Sequence, residues 1–252
     1  MKIDLSGKVV LVTGASRGIG QAIAQGMSDA GAKVAIHYNS NKEKAEAVLS
    51  RMNSDCHAFQ ADLAKPQEAI KLFRQVLDEY AQIDVIVNNA GIAISSELSD
   101  DNDTWITAWQ ETMNLNLLAT GVLCKLSIEH FIEKGGGRII NIASRAAFRG
   151  DTQDYLAYAA SKGGMVSLTR SIARAYGKQN IKAFTIAPGF VRTDMAKEIM
   201  EVYGDEFALN DIALPNLTEP KDLAPTIVLL ASGLADHSTG CTIDINAGSY
   251  VH

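Results

Sequence analysis

An α/β domain built on a doubly wound parallel sheet, with helices on both faces, is the fold class this sequence predicts. Three observations carry the prediction. Short unbroken apolar runs, KVVLVT (8–13), IDVIVNN (83–89) and GRIINIA (137–143) among them, read as strands buried on both faces. Longer amphipathic stretches alternate with these runs along the chain, the order that parallel βαβ units require. A glycine-rich link, TGASRGIG (13–20), joins the first strand to the first helix.

The elements follow in order. Strand 8–13 leads into a helix over 19–30 that stops at Gly31, a residue able to take the left-handed cap. KVAIHY (33–38) is the second strand and NKEKAEAVLSRM (41–52) the second helix, with Asn41 as its N-cap. CHAFQ (56–60) precedes a helix over 66–80, whose first turn suits Pro66. Strands at 83–89, 137–143, 181–187 and 241–246 complete the sheet, with long helices at 103–133 and 154–177 and a further one at 220–232. No Pro/Ser-rich linker, low-complexity segment or fixed-period repeat divides the chain, so 1–252 reads as one domain. The stretch 190–219 has weak periodicity and follows the sixth strand. Ligands of open α/β sheets lie outside the carboxyl ends of the strands, which makes this stretch the candidate substrate lid.

Composition narrows the function classes. The formal net charge of -6 argues against a general nucleic-acid binder, which needs a basic face to neutralise phosphates. Cys56, Cys124 and Cys241 are scattered without CxxC spacing. That fits a reducing compartment and excludes zinc-ribbon chemistry, so no metal site is expected. The start, MKIDLSGKVV, lacks an apolar core of signal-peptide length, and no apolar run reaches the roughly 18 residues of a membrane span. A cytoplasmic protein without membrane partners is the expectation.

The link 13–20 has the spacing GxxxGxG, from Gly14, Gly18 and Gly20, and opens a helix. Glycines there allow the backbone to approach a pyrophosphate, and the helix N-terminus supplies free N–H groups and a positive dipole end. No Lys-Ser/Thr pair follows, so it is not a Walker loop. Downstream stand NNAG (88–91), YAASK (158–162) and PGFVRT (188–193). In this order and spacing the motifs resemble the short-chain dehydrogenase/reductase family across essentially the whole chain. The resemblance implies a single-domain Rossmann-type fold, a nicotinamide cofactor and an oxidoreductase acting between a carbonyl and an alcohol.

Residue by residue, the family motif Tyr-x-x-x-Lys falls on Tyr158 and Lys162, because Tyr155 has Ala159 rather than Lys four residues on. Residues four apart share a helix face. Free tyrosine, with a pKa of about 10, is a weak acid-base catalyst, and a nearby ammonium together with an oxidised nicotinamide would favour the phenolate. The resemblance makes Tyr158 the proton donor, Lys162 its partner and a ligand of the nicotinamide ribose, and Ser144 the group that hydrogen-bonds the substrate oxygen. It makes Asn116, rather than Asn114, the holder of a water linking Lys162 to solvent. For the cofactor it points to Gly14, Ser16, Arg17, Gly18, Ile19 and Gly20 in the glycine loop and to Asn89, Ala90 and Gly91 after the fourth strand. Asp62 and Leu63 fall at the adenine, and Pro188, Gly189, Val191 and Thr193 at the nicotinamide carboxamide.

The second strand ends in IHYNSNK without an acid before Glu43. An acid there would serve a ribose 2′-hydroxyl. Arg17, with Asn39 and Ser40, suits a 2′-phosphate instead, so NADP(H) is expected over NAD(H). Within the family the chain is similar to 3-oxoacyl-acyl-carrier-protein reductases, which would make the substrate an acyl thioester and place the protein in fatty-acid synthesis. It departs from them in the acidic, Trp-bearing segment SSELSDDNDTWIT, in its NAGSYVH end and in LPNLTEP. An acidic entrance argues against an acidic carrier docking there. A dehydrogenase of a sugar, polyol or other small alcohol stays open, as does a non-catalytic NADP-binding regulator. Helices 103–133 and 154–177 match those through which family members pair, often as homotetramers.

Overall fold

The computed structural model describes residues 3–194, 206 and 208–251. Seven parallel strands form one sheet in the order β3-β2-β1-β4-β5-β6-β7. They are β1 Val9–Val12, β2 Lys33–Tyr38, β3 His57–Gln60, β4 Val85–Asn88, β5 Gly137–Ile142, β6 Ile181–Pro188 and β7 Thr242–Ile245. Strand order reverses between β1 and β4, the switch point at which such sheets open a crevice.

The pleat sorts the core. Val10 and Val12 point to one side, where α1 (Gly18–Asp29) contributes Ile23, Ala24 and Met27 to a common apolar cluster. The last helix, α8 (Pro220–Ser232), adds Leu223, Ile227 and Val228 there. Leu11, one residue along, points to the other side. There it meets Leu72, Phe73 and Val76 of α3 (Pro66–Tyr80), and Leu123 and Phe131 of α5 (Ala119–Lys134). Ile172 of α7 (Leu156–Tyr176), which follows the short α6 (Ala146–Arg149), joins this second cluster. A sheet covered on both faces explains why its central strands are apolar without alternation.

The helix termini follow their sequence signals. Asn41 caps α2 (Lys42–Leu49), its Oδ1 accepting from Lys44 N at 2.8 Å. Pro66 opens α3, and Gly31 takes φ +96° after α1. The expected helix 103–133 departs from its pattern in the middle. It runs as α4 (Asn102–Met113), one π turn (Asn114–Leu118) and α5. The Ala119 amide reaches back five residues to the Asn114 carbonyl, a widening that hydrophobic periodicity does not report.

This continuous helix, Asn102–Lys134, is long and apolar enough to cross a membrane by length and composition alone, as a buried core helix also can be. Here it packs into the core through Leu123, Cys124 and Phe131. It also buries Thr112, Asn116, Thr120 and Ser127, as a core helix with a polar task does. The candidate lid is described at 190–194, 206 and 208–219; its remainder, 195–205 and 207, lies outside the described residues.

Candidate active site

The glycine loop is braced from three strands. Thr13 Oγ1 accepts from the backbone N–H of Asn89 at 2.9 Å and of Ala90 at 3.0 Å. Asn89 Nδ2 donates to the carbonyls of Thr13 at 2.9 Å and Gly14 at 3.1 Å. From β2, His37 Nδ1 accepts from Gly14 N at 3.0 Å, while its Nε2 lies 3.0 Å from the Ala61 carbonyl. Accepting at Nδ1 places the ring proton on Nε2. Burial lowers the His37 pKa to about 4, which keeps this neutral tautomer across physiological pH. Gly14 has φ +63°, and a Cβ there would stand 3.0 Å from Ala90 Cα.

Side chains cap α2 and α4, but none caps α1, whose N-cap is Arg17. Gly18 (φ +56°), Ile19 and Gly20 form its first turn, and Ser16 precedes it half-buried. Unblocked amides behind a glycine turn at the sheet's switch point fit a dinucleotide pyrophosphate.

At the far end of β2, Asn39 and Ser40 are exposed, and Gln60 Nε2 donates to the Asn39 carbonyl at 2.8 Å. Asp62 accepts from Ala64 N at 3.2 Å and pairs with Lys65 at 3.0 Å. The Lys65 hydrogen bond accordingly holds the Asp62 carboxyl below its ordinary value. Leu63 spends its side chain in the core. Arg17 Nη1 lies 3.2 Å from Asp194 Oδ2.

The second half of the crevice gathers four side chains from three elements. Asn116 sits in the π turn, fully buried, while Asn114 is exposed. Asn116 Oδ1 accepts from Ile92 N at 2.9 Å. Its Nδ2 donates to the Ile92 carbonyl at 2.9 Å and to Ser161 Oγ at 3.0 Å. Ser161 Oγ in turn donates to the Tyr158 carbonyl at 2.7 Å. Ser161, absent from the residues expected from sequence, therefore ties the π turn to the helix that carries Tyr158. Its only sequence signal is its place directly before Lys162. Ser144, at the end of β5, hydrogen-bonds the Tyr158 hydroxyl and accepts from Ala146 N at 3.1 Å. Tyr155 lies in a 3-10 turn ahead of α7 and is the residue before its first turn.

Lys162 is 4% exposed and donates to the Ile142 carbonyl at 2.9 Å, with Nζ 5.7 Å from the Tyr158 ring centroid. Its ammonium is thus aimed at a backbone oxygen, and in the cofactor-free pocket other groups set the Tyr158 pKa. Burial dominates and raises the Tyr158 pKa; the Ser144 hydrogen bond opposes this, and the charge of Asp151 adds to it. A cofactor-free pocket keeps this phenol protonated.

Burial also brings Lys162 down from 10.5 to about 8. Between those values the unfolded chain holds a proton that the folded chain has released, so stability rises with pH across this window. We expect the cofactor-free protein to gain about 1 kcal/mol from this group between pH 7 and pH 9. Urea unfolding at both values, with Lys162→Met as reference, checks this. A parent that gains no more than the variant contradicts it.

The end of the crevice where the sequence expects the nicotinamide is shaped by β6. Pro188 ends the strand and its carbonyl accepts from Arg145 N at 2.9 Å. Gly189 N donates to the Ile245 carbonyl at 3.1 Å, and a Cβ on Gly189 would press on Asn246 Cβ at 2.8 Å. Val191 is buried and bridges to Thr218, and Thr193 approaches the glycine loop, 3.3 Å from where a Cβ on Gly18 would be.

Sequence reading also missed a clamp beside Ser144. Arg145 is buried, lies 4.5 Å from the Phe190 ring centroid and pairs with Asp211. Arg149 reaches the same carboxylate at 3.1 Å and 3.2 Å. Asp211→Asn leaves a buried guanidinium without its counter-charge. It should cost roughly 2–3 kcal/mol, below the full penalty for breaking a buried pair because Asp211 is partly exposed. Urea unfolding measures it, and an unchanged midpoint would show the clamp to be idle.

Comparison with known proteins identifies the family. Residues 8–204 match the family model described as short chain dehydrogenase, and the chain belongs to that family. It is 33% identical over 247 residues to the 3-oxoacyl-acyl-carrier-protein reductase FabG of Staphylococcus epidermidis, covering 97% of this chain and 99% of that one. A provisionally assigned gluconate dehydrogenase from Agrobacterium tumefaciens superposes with a TM-score of 0.91 at 28% identity, covering 100% of both chains. A blue fluorescent protein from a metagenomic library, crystallised with NADPH, gives 0.88 at 32% identity, covering 98% of this chain and 100% of that one. The protein is therefore an oxidoreductase of the short-chain class, acting between CH–OH and C=O groups.

Proposed function

We propose that this chain is an NADP(H)-dependent carbonyl reductase with Tyr158 as its proton donor. One observation carries the reading. An ideal Cβ on Gly91 would lie 3.2 Å from Asn116 Oδ1 and 3.3 Å from Lys162 Nζ, so glycine keeps a bare floor where two polar groups converge. That floor, with the uncapped α1 terminus and the bare Gly14, fits a flat nicotinamide and its pyrophosphate.

The bound reduced cofactor would supply a hydride to the carbonyl carbon. Tyr158 O–H donates its proton to the carbonyl oxygen, and Ser144 holds that oxygen by a hydrogen bond. Lys162 holds the ribose and takes part in reprotonating Tyr158, with Asn116 anchoring a water that leads to solvent.

The 3-oxoacyl-thioester reading rests on the FabG relative and on the resemblance of the second strand and the PGF segment. The sugar or polyol reading gains from the Agrobacterium neighbour and from the acidic entrance segment. Pairing of copies through α4–α5 and α7 is consistent with exposed Ile106, Leu118 and Leu156. The deciding experiment mixes purified protein with NADPH or NADH and acetoacetyl thioester, beside a panel of ketones and sugars, and follows nicotinamide absorbance. NADPH oxidation with the thioester supports the fatty-acid reading. Oxidation with another carbonyl keeps the mechanism and discards that substrate. Binding of NADPH without turnover favours a regulator.

A further inference from the structure

Arg145 stands at the centre of the turn that presents Ser144. Ser144 Oγ accepts from Ala146 N at 3.1 Å, and the Ser144 carbonyl accepts from Ala147 N at 3.1 Å. The residue between is tied down by both its backbone and its side chain. Arg145 N donates to the Pro188 carbonyl, at the end of β6, at 2.9 Å. Its Cζ lies 4.5 Å from the Phe190 ring centroid, and its Nη1 pairs with Asp211, from the segment ahead of α8. We propose that Arg145 is a positioning residue for the reduction, fixing the Ser144–Ala146 turn to β6 and Asp211 so that the Ser144 hydroxyl is aimed at the substrate oxygen. The inference rests on the role given to Ser144 above and adds a residue that acts through it.

Hydrogen-bond direction argues for it first. A serine hydroxyl has one proton to donate and two lone pairs. The turn commits a lone pair to Ala146 N, which leaves the proton for a carbonyl oxygen. Whatever holds the turn therefore sets where that proton points. Misplacing a reacting group by about 1 Å costs up to about a hundredfold in rate, so slack in this turn is read in turnover.

The choice of residue argues for it next. The Arg145 side chain is 8% exposed, and burying a guanidinium carries a desolvation cost that its ion pair only offsets. Packing alone would be met as well by an apolar side chain of similar volume. Direction would not: a planar fork between a ring face and a carboxylate has one preferred orientation. Arg149 also reaches both oxygens of Asp211, so removing Arg145 does not leave that carboxylate unpaired.

The test measures kcat, KM, NADPH affinity and urea unfolding of the full-length protein, using the carbonyl of the panel above that is reduced. Arg145→Met should lower kcat about tenfold, with KM and NADPH affinity within about twofold. Ser144→Ala should lower kcat about a hundredfold. Adding Arg145→Met to Ser144→Ala should slow it by no more than about twofold further, because residues that act through one group are not additive. Arg149→Met removes the other cation on the same carboxylate and should leave kcat within about twofold. Arg145→Lys keeps the charge and loses the fork; it should fall between parent and Arg145→Met, and it serves the same cycle if Arg145→Met does not fold. Losses that multiply in the double variant, or NADPH affinity lost in Arg145→Met, overturn the inference. So does equal slowing by Arg149→Met. Full speed in Arg145→Met beside a slow Ser144→Ala sinks this inference alone. Full speed in Ser144→Ala, or a parent that reduces nothing in the panel, sinks the reading of the site, and this inference with it.

Discussion

Tyr158→Phe is expected to lower kcat/KM by about 10²–10⁴, the usual worth of a positioned general acid, while NADPH binds as tightly as to the parent. The change removes one oxygen and nothing else. That oxygen's hydrogen bond is to Ser144, which also accepts from Ala146 N and so stays partnered. The ring keeps its place 5.7 Å from Lys162, and the backbone carbonyl of residue 158 still receives Ser161 Oγ. Stability should therefore hardly move, and urea unfolding separates a chemical loss from a folding one. Tyr155→Phe is the matched control, since it alters the rival tyrosine ahead of the helix. An active Tyr158→Phe enzyme, or a dead Tyr155→Phe beside it, would reverse the assignment.

Much of the fold was legible because its signals are local. Apolar runs such as VVLV and VIVN have no polar face to show water, so they must be buried on both sides. Asn41, Pro66 and Gly31 act within one turn of themselves, and the structure uses each as its chemistry suggests. The family was legible for a different reason, a motif order spread over the whole chain, and the family model matches residues 8–204.

What stayed hidden depends on distant partners. No local pattern announces the π turn at Asn114–Leu118, because it is held by what Asn116 meets on Ile92 and Ser161. His37 read only as a missing acid, yet it pins Gly14 through a proton position set by Ala61. Arg145 and Asp211 are separated by 66 residues, too far apart for any local pattern to pair them.

Gly20→Ala should be the most damaging single-methyl change near the cofactor loop. Helix propensity alone would favour alanine by about 1 kcal/mol, since Gly20 lies in the first turn of α1 and its φ is not positive. Space decides against it. The new Cβ would lie 2.3 Å from the Gly14 carbonyl oxygen and 2.5 Å from Asn89 Nδ2. Neither neighbour can yield cheaply: the first is backbone in a left-handed turn, and the second already bonds both Thr13 O and Gly14 O. Relief requires α1 to move off the loop, which displaces the first-turn amides proposed to hold the pyrophosphate. We expect a loss of about 3 kcal/mol or more in urea unfolding, together with loss of NADPH binding. Gly26→Ala, on the same helix, separates packing from propensity. There the methyl would meet only side-chain atoms, Ala224 Cβ at 3.3 Å and Val228 Cγ2 at 3.4 Å, and should change stability by no more than about 1 kcal/mol. Equal effects at the two positions would mean that the helix as a whole, and not the contact of Gly20 with the loop, sets the requirement for glycine.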